Sequence, residues 1–297
     1  MAKEKTAYMT ISQSSRLKKM LFQIRYAILH DISGLLGFII LSAIIILSII
    51  APIVFPLDTV SDPSNIFRAP SLMHILGTDH LGRDIWAQIA NGGRELLVMA
   101  LITASLGMFI GVVLGAFSAL IGGKFDEILL LLADVWLSIP RLPLLVVISA
   151  FIKLNSIALA IILAILSWAG LYRTIRSEVL SLKEREFIEA AFMQNLSISH
   201  IVFKEIAPNL MGFIIVNFTL LMRASIYSQV GLVFLGILPL DQNWGVMINQ
   251  AWTQGVIYSK NSILYIISPT IMICLLIISL VWIGKSLEDV FNPSLRK

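Results

Sequence analysis

The sequence predicts an all-α, multi-pass membrane protein with six transmembrane helices. Three observations carry that expectation. The 297 residues are 58% hydrophobic and only 13% charged, against about 45–50% apolar and about 25% charged in soluble domains. Mean hydropathy is +0.89. Uncharged gaps recur at membrane-crossing length, since a helix needs about 20 mostly apolar residues to cross hydrocarbon with its backbone satisfied internally. These proportions exclude a water-soluble enzyme, a disordered chain, collagen and a disulfide scaffold. The net charge of +4 belongs with the bilayer, not with nucleic acid, because Lys and Arg set membrane orientation. Cys274 stands alone, so no intrachain disulfide and no paired-cysteine metal site can form.

In chain order, a basic tail over 1–31 holds Lys3, Lys5, Arg16, Lys18, Lys19 and Arg25. The first gap lies between Asp31 and Asp58, reads GLLGFIILSAIIILSIIAPIVF, and predicts an anchor helix over 32–56. It exceeds the roughly 7–15 apolar residues of a signal core and no small-x-small site ends it, so retention is expected. A hydrophilic stretch over 57–95 follows. The second span is the gap between Glu95 and Lys124, LLVMALITASLGMFIGVVLGAFSALIGG. The third covers 128–152 and carries Asp134 and Arg141; Pro140 and Pro143 break its hydrogen-bond ladder and predict a fixed bend. The fourth runs from Lys153 to Arg173, the fifth over 210–238 with Arg223 inside, and the sixth from Lys260 to Lys285. Spans two to six make a five-helix core over 96–285, and 286–297 is a second tail. Two hydrophilic connections remain, one over 173–209 and one, rich in Trp and Gln, over 239–261.

With the N-terminus inside, 15 of the 22 basic residues fall in cytoplasmic segments. Arg68, Arg83, Arg94, Lys153 and Lys260 lie outside, and Arg141 and Arg223 fall within the membrane. This bias predicts a cell-membrane protein with both termini in the cytoplasm.

The inner connection reads RTIRSEVLSLKEREFIEAAFMQNLSISHIVFKEIAPNL and predicts two short helices. The first spans 184–193, with Ala190 and Ala191 on its packing side. Asn195 follows, one of the few residues besides Gly that accept a left-handed C-cap. Ser197 or Ser199 caps the second helix. There Ile198, Ile201, Val202 and Ile206 make one apolar stripe at i, i+3, i+4, i+8. Pro208 is expected to stop it. The stripe needs cover, and the residues leave two choices open. It packs beneath its own bundle or on lipid headgroups, or it docks a cytoplasmic partner.

Glu189-Ala190-Ala191, Asn195 and Ile206-Ala207-Pro208 resemble the E-A-A-x₃-G-x₁₀-I-x-P coupling loop of ABC import permeases, with Asn195 in the glycine's place. Gly77-Thr78-Asp79-His80-Leu81-Gly82-Arg83-Asp84 is similar to the G-T-D-x-L-G-R-D of dipeptide, oligopeptide and nickel permeases. Leu232-Val233-Phe234-Leu235-Gly236, then Asn243-Trp244-Gly245, resemble their L-S-F-L-G and W-G-N-M-L segments; Asp134 and Pro140 fit their D-x₅-P. The resemblance covers roughly residues 30–290 and is to the second of that group's two permease chains. It implies the type I ABC importer permease fold, a heterodimer with a homologous permease, two cytoplasmic ATP-binding subunits and an extracytoplasmic solute-binding protein. ATP and Mg would sit on the ATPases and no cofactor on this chain. The coupling residues it implies are those just given, together with Ser197, Ile198, Ile201 and Val202. The cargo it implies is oligopeptides or dipeptides, with nickel chelates or oligosaccharides as the alternative.

Other residues are weighed singly. Arg141 and Arg223 lie about 12–14 residues into their spans, roughly 18–21 Å deep. A midplane Arg is costly enough to face protein or water. Each either lines the pathway and attracts an anionic substrate group, or is structural, through an ion pair with Asp134 or with the partner permease. Gln229 lines the pathway or makes an interhelical hydrogen bond, and the bond is preferred. His74, Asp79, His80 and Asp84 match no metal-ligand spacing, so structure explains them better. Trp86, Trp244 and Trp252 are expected as interface anchors. Gly122-Gly123-Lys124 lacks the rest of a phosphate loop, and no H-E-x-x-H or G-x-S-x-G is present, so no catalysis is expected here. A stand-alone secondary carrier is the competing class. It commonly uses paired intramembrane acids, whereas Asp134 is the single one here.

Overall fold

The structure, a computed structural model, describes residues 22, 24–57, 60–152, 154–237, 243–259 and 262–291. Lys3, Lys5, Arg16, Lys18, Lys19, Asp58, Lys153, Lys260, Arg296 and Lys297 lie outside these. Helical residues 24–30 lead to α1 (Ile32–Val54), whose first turn is capped by the Asp31 carboxylate accepting from the Gly34 amide. There follow α2 (Ile85–Ile121), α3 (Gly123–Ser138), α4 (Arg141–Phe151) and α5 (Ser156–Lys183). The inner connection holds α6 (Glu186–Met193), α7 (Ile198–His200), a π-helical segment (Ile201–Ile206) and α8 (Ala207–Asn209). Then come α9 (Met211–Phe234), α10 (Trp244–Thr253) and α11 (Leu264–Phe291). Two 3₁₀ turns lie at Pro63–Asn65 and Val256–Tyr258.

Five helices, α1, α2, α5, α9 and α11, are long and apolar enough to cross a bilayer, and the bent pair α3–α4 makes a sixth span if counted as one. This all-helical bundle is the fold class expected from the uncharged gaps. The third span departs from expectation in degree. It is not kinked but broken, with α3 and α4 at 81°. Pro140 forces the preceding Ile139 into extended backbone (φ −80°, ψ 122°) and itself caps α4. Pro143 sits in the first turn of α4, where a missing N–H is harmless. Arg141 is therefore the first residue of a new helix, and its depth does not follow from an uninterrupted rise.

Helices also overrun the hydrophobic runs. α2 begins eleven residues before its apolar stretch, capped by Asp84 accepting from the Ala87 amide. α5 continues through Arg173 and Arg176 to Lys183, so the first third of the expected inner loop is helix. Intrahelical hydrogen bonds do not require hydrocarbon; the helix ends only where the chain must turn.

The contact between α2 and α5 forms the centre. Gly107, Gly111 and Gly115 repeat every fourth residue along α2, and a Cβ at each would meet Ser167, Leu171 and Ile175 of α5 at 2.4, 2.7 and 2.9 Å. Small residues let membrane helices approach until backbones pack, and dispersion then supplies the attraction that lipid solvent removes. Two cores flank this seam. The outer one gathers Ile44, Ile85, Ile89, Leu96, Trp244, Met247, Tyr265 and Leu276; the inner one joins Ala116, Ala119, Leu171, Ile175 and Val179 to the inner hairpin.

Candidate functional site

The inner hairpin is built by local rules. A two-residue turn, Glu184 and Arg185, ends α5 and starts α6 two residues later than the periodicity indicates. Asn195 has φ 53°, the left-handed conformation its sequence position predicts. The Ser197 hydroxyl, not that of Ser199, accepts from the His200 amide at 3.3 Å and caps the second helical segment.

Pro208 does not stop that helix. Residues Ile201–Ile206 widen into a π-helix, closed by the Ala207 amide donating to the Val202 carbonyl five residues back. The wider turn makes room for the proline ring, which otherwise clashes with the carbonyl four residues earlier. The helix ends at Leu210 instead (φ −87°, ψ 0°).

The stripe residues Ile201, Val202 and Ile206 are fully buried, with Ile188 and Ala191, against the inner ends of α2 and α5. The open choice of cover thus resolves toward the chain's own bundle. Ala190 does not share the packing side of Ala191: it is exposed, because neighbours in a helix point about 100° apart. Glu189, Ala190, Phe192 and Met193 form an outer face, with Met193 75% exposed.

Next to the hairpin, charge ties α5 to α3 and to the end of α2. Arg176 donates from Nε to Asp126 Oδ1 at 2.6 Å and pairs with the other carboxylate oxygen through Nη2. Ser118 bonds both Asp126 and Tyr172. Lys183 reaches the Ala119 and Leu120 carbonyls at the C-terminal end of α2, the end where a helix favours cations.

Within the membrane, the expected Arg141–Asp134 pair does not form. Asp134 pairs with Arg173 at 3.2 Å, both half exposed, because the 81° break carries Arg141 away from α3. Arg141 instead lines a small cavity with Thr103, Ser167, Ser225 and Ser228. Arg223 has no ion pair among the described residues, and its Nε is buried without a partner. Gln229 is fully buried; its amide donates to Ser225 at 2.7 Å within α9, so the preferred interhelical bond is replaced by an i, i−4 bond, and Oε1 stays unpartnered. α9 is the least apolar of the five long spans and the least buried within the bundle.

At the other end of the bundle, the Asp79 carboxylate is fully buried. It accepts from the amides of Leu81 and Arg83, from Arg83 Nε and from Gln88 Nε2, all at 2.8–2.9 Å. Gly82 has φ 79°, and a Cβ there would lie 2.0 Å from the Asp62 carbonyl; Gly77 is also left-handed. His74 bonds Asp84 at 2.7 Å. No three His, Cys, Asp or Glu side chains come together as a metal site among the described residues. Trp244 is 1% exposed and donates to the Ile89 carbonyl at 2.8 Å. It is a core residue rather than an interface anchor, because Gly92 and Gly93 open a slot for its indole; Gly245 beside it is buried too. The period-four glycines of α2 and the Asp126–Arg176 pair were missed at the sequence level. The first was visible as GMFIGVVLG.

Burial pushes the His80 imidazole below its ordinary 6.5; Asp79 opposes and Arg83 reinforces the shift. The unfolded loop therefore takes up the proton first as pH falls. Its stability is whole above 6.5 and declines below that value toward the folded pKa. Hydrogen exchange of residues 60–84, corrected for intrinsic rates, is expected to show more opening at about pH 5.5 than at about pH 7.5. His80→Gln is expected to flatten the difference.

A bundle of helices long and apolar enough to cross a bilayer, with a helical hairpin packed against one end, defines a multi-pass membrane protein. The family model described as binding-protein-dependent transport system inner membrane component matches residues 111–297, and the chain belongs to this family. It is similar to the oligopeptide transport system permease protein OppC of Bacillus subtilis (strain 168), 31% identical over 268 residues, 89% of this chain and 86% of that one. OppC of Haemophilus influenzae is 30% identical over 87% of this chain and 83% of its own length. The dipeptide transport system permease protein DppC of Alkalihalophilus pseudofirmus is 30% identical, covering 89% and 86%.

Proposed function

We propose that this chain is a permease subunit of an ATP-driven importer of short peptides. Peptides are the cargo named for the relatives it matches over most of its length. A homologous permease forms the pathway with it, an extracytoplasmic binding protein delivers cargo to the outer loop, and two ATPases dock on the inner hairpin. ATP and Mg belong to the ATPases, and this chain performs no covalent step. The basic flanks put both termini in the cytoplasm.

One observation carries the reading: the hairpin is two-faced. Ile188, Ala191, Ile201, Val202 and Ile206 weld it to α2 and α5, while Glu189, Ala190, Phe192 and Met193 are left outward. A close-packed core transmits displacement instead of absorbing it. ATPase closure against the outer face thus moves the two central helices as a lever and opens the pathway alternately to each side. In that pathway α9 supplies Arg223, whose unpartnered Nε suits water or a peptide group better than lipid. Arg141 lies beside it, on a small, largely apolar cavity that also carries four hydroxyl side chains.

Ala190→Trp places bulk on the outer face only. It is expected to leave folded permease abundant but to cut ATPase co-purification and uptake of a labelled tripeptide by roughly tenfold or more. Normal uptake with ATPases still bound would refute the docking face. Tripeptide import that is absent from the unmodified transporter would refute the cargo alone.

A further inference from the structure

We propose that a cleft at the outer membrane surface, between α1, α2 and the start of α5, binds a phospholipid, with Arg94 holding its phosphate. The cleft has a volume of about 460 Å³. Its upper rim is polar and its floor apolar. On the rim, Asn91 is engaged with the Phe55 and Ala87 carbonyls, both at 2.8 Å, and Glu95 accepts from Ser156 and from Asn243. Arg94 alone of the rim's charged groups has no ion pair or hydrogen bond among the described residues, and it is exposed. It stands two residues before the uncharged run of α2, with Glu95 between, near the hydrocarbon boundary that the run implies. Below it the wall is Pro52, Val98, Met99, Ile102 and Ile157. Val98 is 47% and Ile157 60% exposed.

A cation over an exposed hydrocarbon wall complements an anion carried on an acyl chain. A guanidinium matches phosphate oxygens bidentately. From Arg94 to Ile102 the helix rises about 12 Å, close to the roughly 15 Å of one leaflet's hydrocarbon. Free phosphate would use the rim and leave the wall bare. A helix of the partner permease would want small residues for close approach, but this wall is branched and bulky, and the small stripe of α2 is occupied by α5.

The test uses the assembled transporter, exchanged into micelles doped with phosphatidylglycerol and read by native mass spectrometry. The wild type is expected to retain the lipid, Arg94→Gln to retain roughly tenfold less, and Arg94→Lys to keep most of it. Val98→Trp, which fills the floor and spares the charge, is expected to lose it as well. Equal retention by wild type and Arg94→Gln would overturn the proposal. So would full displacement by inorganic phosphate, or disulfide cross-linking of a Val98→Cys variant to a cysteine introduced into the homologous permease.

Discussion

Gly111→Val is expected to abolish accumulation of folded transporter. A Cβ at this position lies 2.7 Å from Leu171 Cβ and 2.9 Å from its Cδ2, and one at Gly115 lies 2.9 Å from both Ile175 Cβ and the Tyr172 carbonyl. The nearest neighbour at Gly111 is a β-carbon, which no rotamer change moves aside, and at Gly115 a β-carbon and a backbone carbonyl stand equally close. The helices must separate along their whole seam, at the upper end of the roughly 1–3 kcal/mol typical of overpacking or beyond it. Against a total stability of about 5–15 kcal/mol, that is a large fraction. Gly170→Ala is the control, since its Cβ meets nothing within 4 Å and Ala favours helix over Gly by up to about 1 kcal/mol. Fluorescence-detected size exclusion compares the two. Equal monodisperse peaks would mean that the close seam is not what holds the bundle.

Breaking the Asp126–Arg176 pair is the second large effect. The side chains are only 13% and 23% exposed, with Ser118 completing the carboxylate's partners. Removing either partner alone strands a charge, which costs about 3–5 kcal/mol when fully buried and so about 2–3 kcal/mol in this partly wet site. Asp126→Ala and Arg176→Ala are each expected to lower the unfolding temperature of the purified transporter, and the double variant to recover part of the loss. Because the pair fastens α3 to α5 just above the hairpin, the single variants are also expected to hydrolyse ATP with reduced uptake. Three variants that all melt with the wild type would show that the pair contributes nothing.

Some of this molecule is legible residue by residue. The uncharged gaps mark the spans because hydrocarbon penalises every exposed polar backbone group, a rule that needs no knowledge of neighbours. Asn195 and Ser197 announce a helix end and a helix start, since both act on backbone groups within three residues. The apolar stripe of Ile201, Val202 and Ile206 is equally plain in its periodicity.

What covers a stripe, or answers a charge, is a different kind of question. Asp134 meets Arg173 and not Arg141 because of one 81° break, an angle that two prolines permit but do not set. Trp244 looks like a surface anchor until Gly92 and Gly93, some 150 residues earlier, supply its slot. The sequence alone determined where helices cross, turn and cap, because those interactions are local. The pairing of charges, the burial of the hairpin and the Arg94 cleft were decided by tertiary structure, where distant segments compete for the same partner and geometry selects between them.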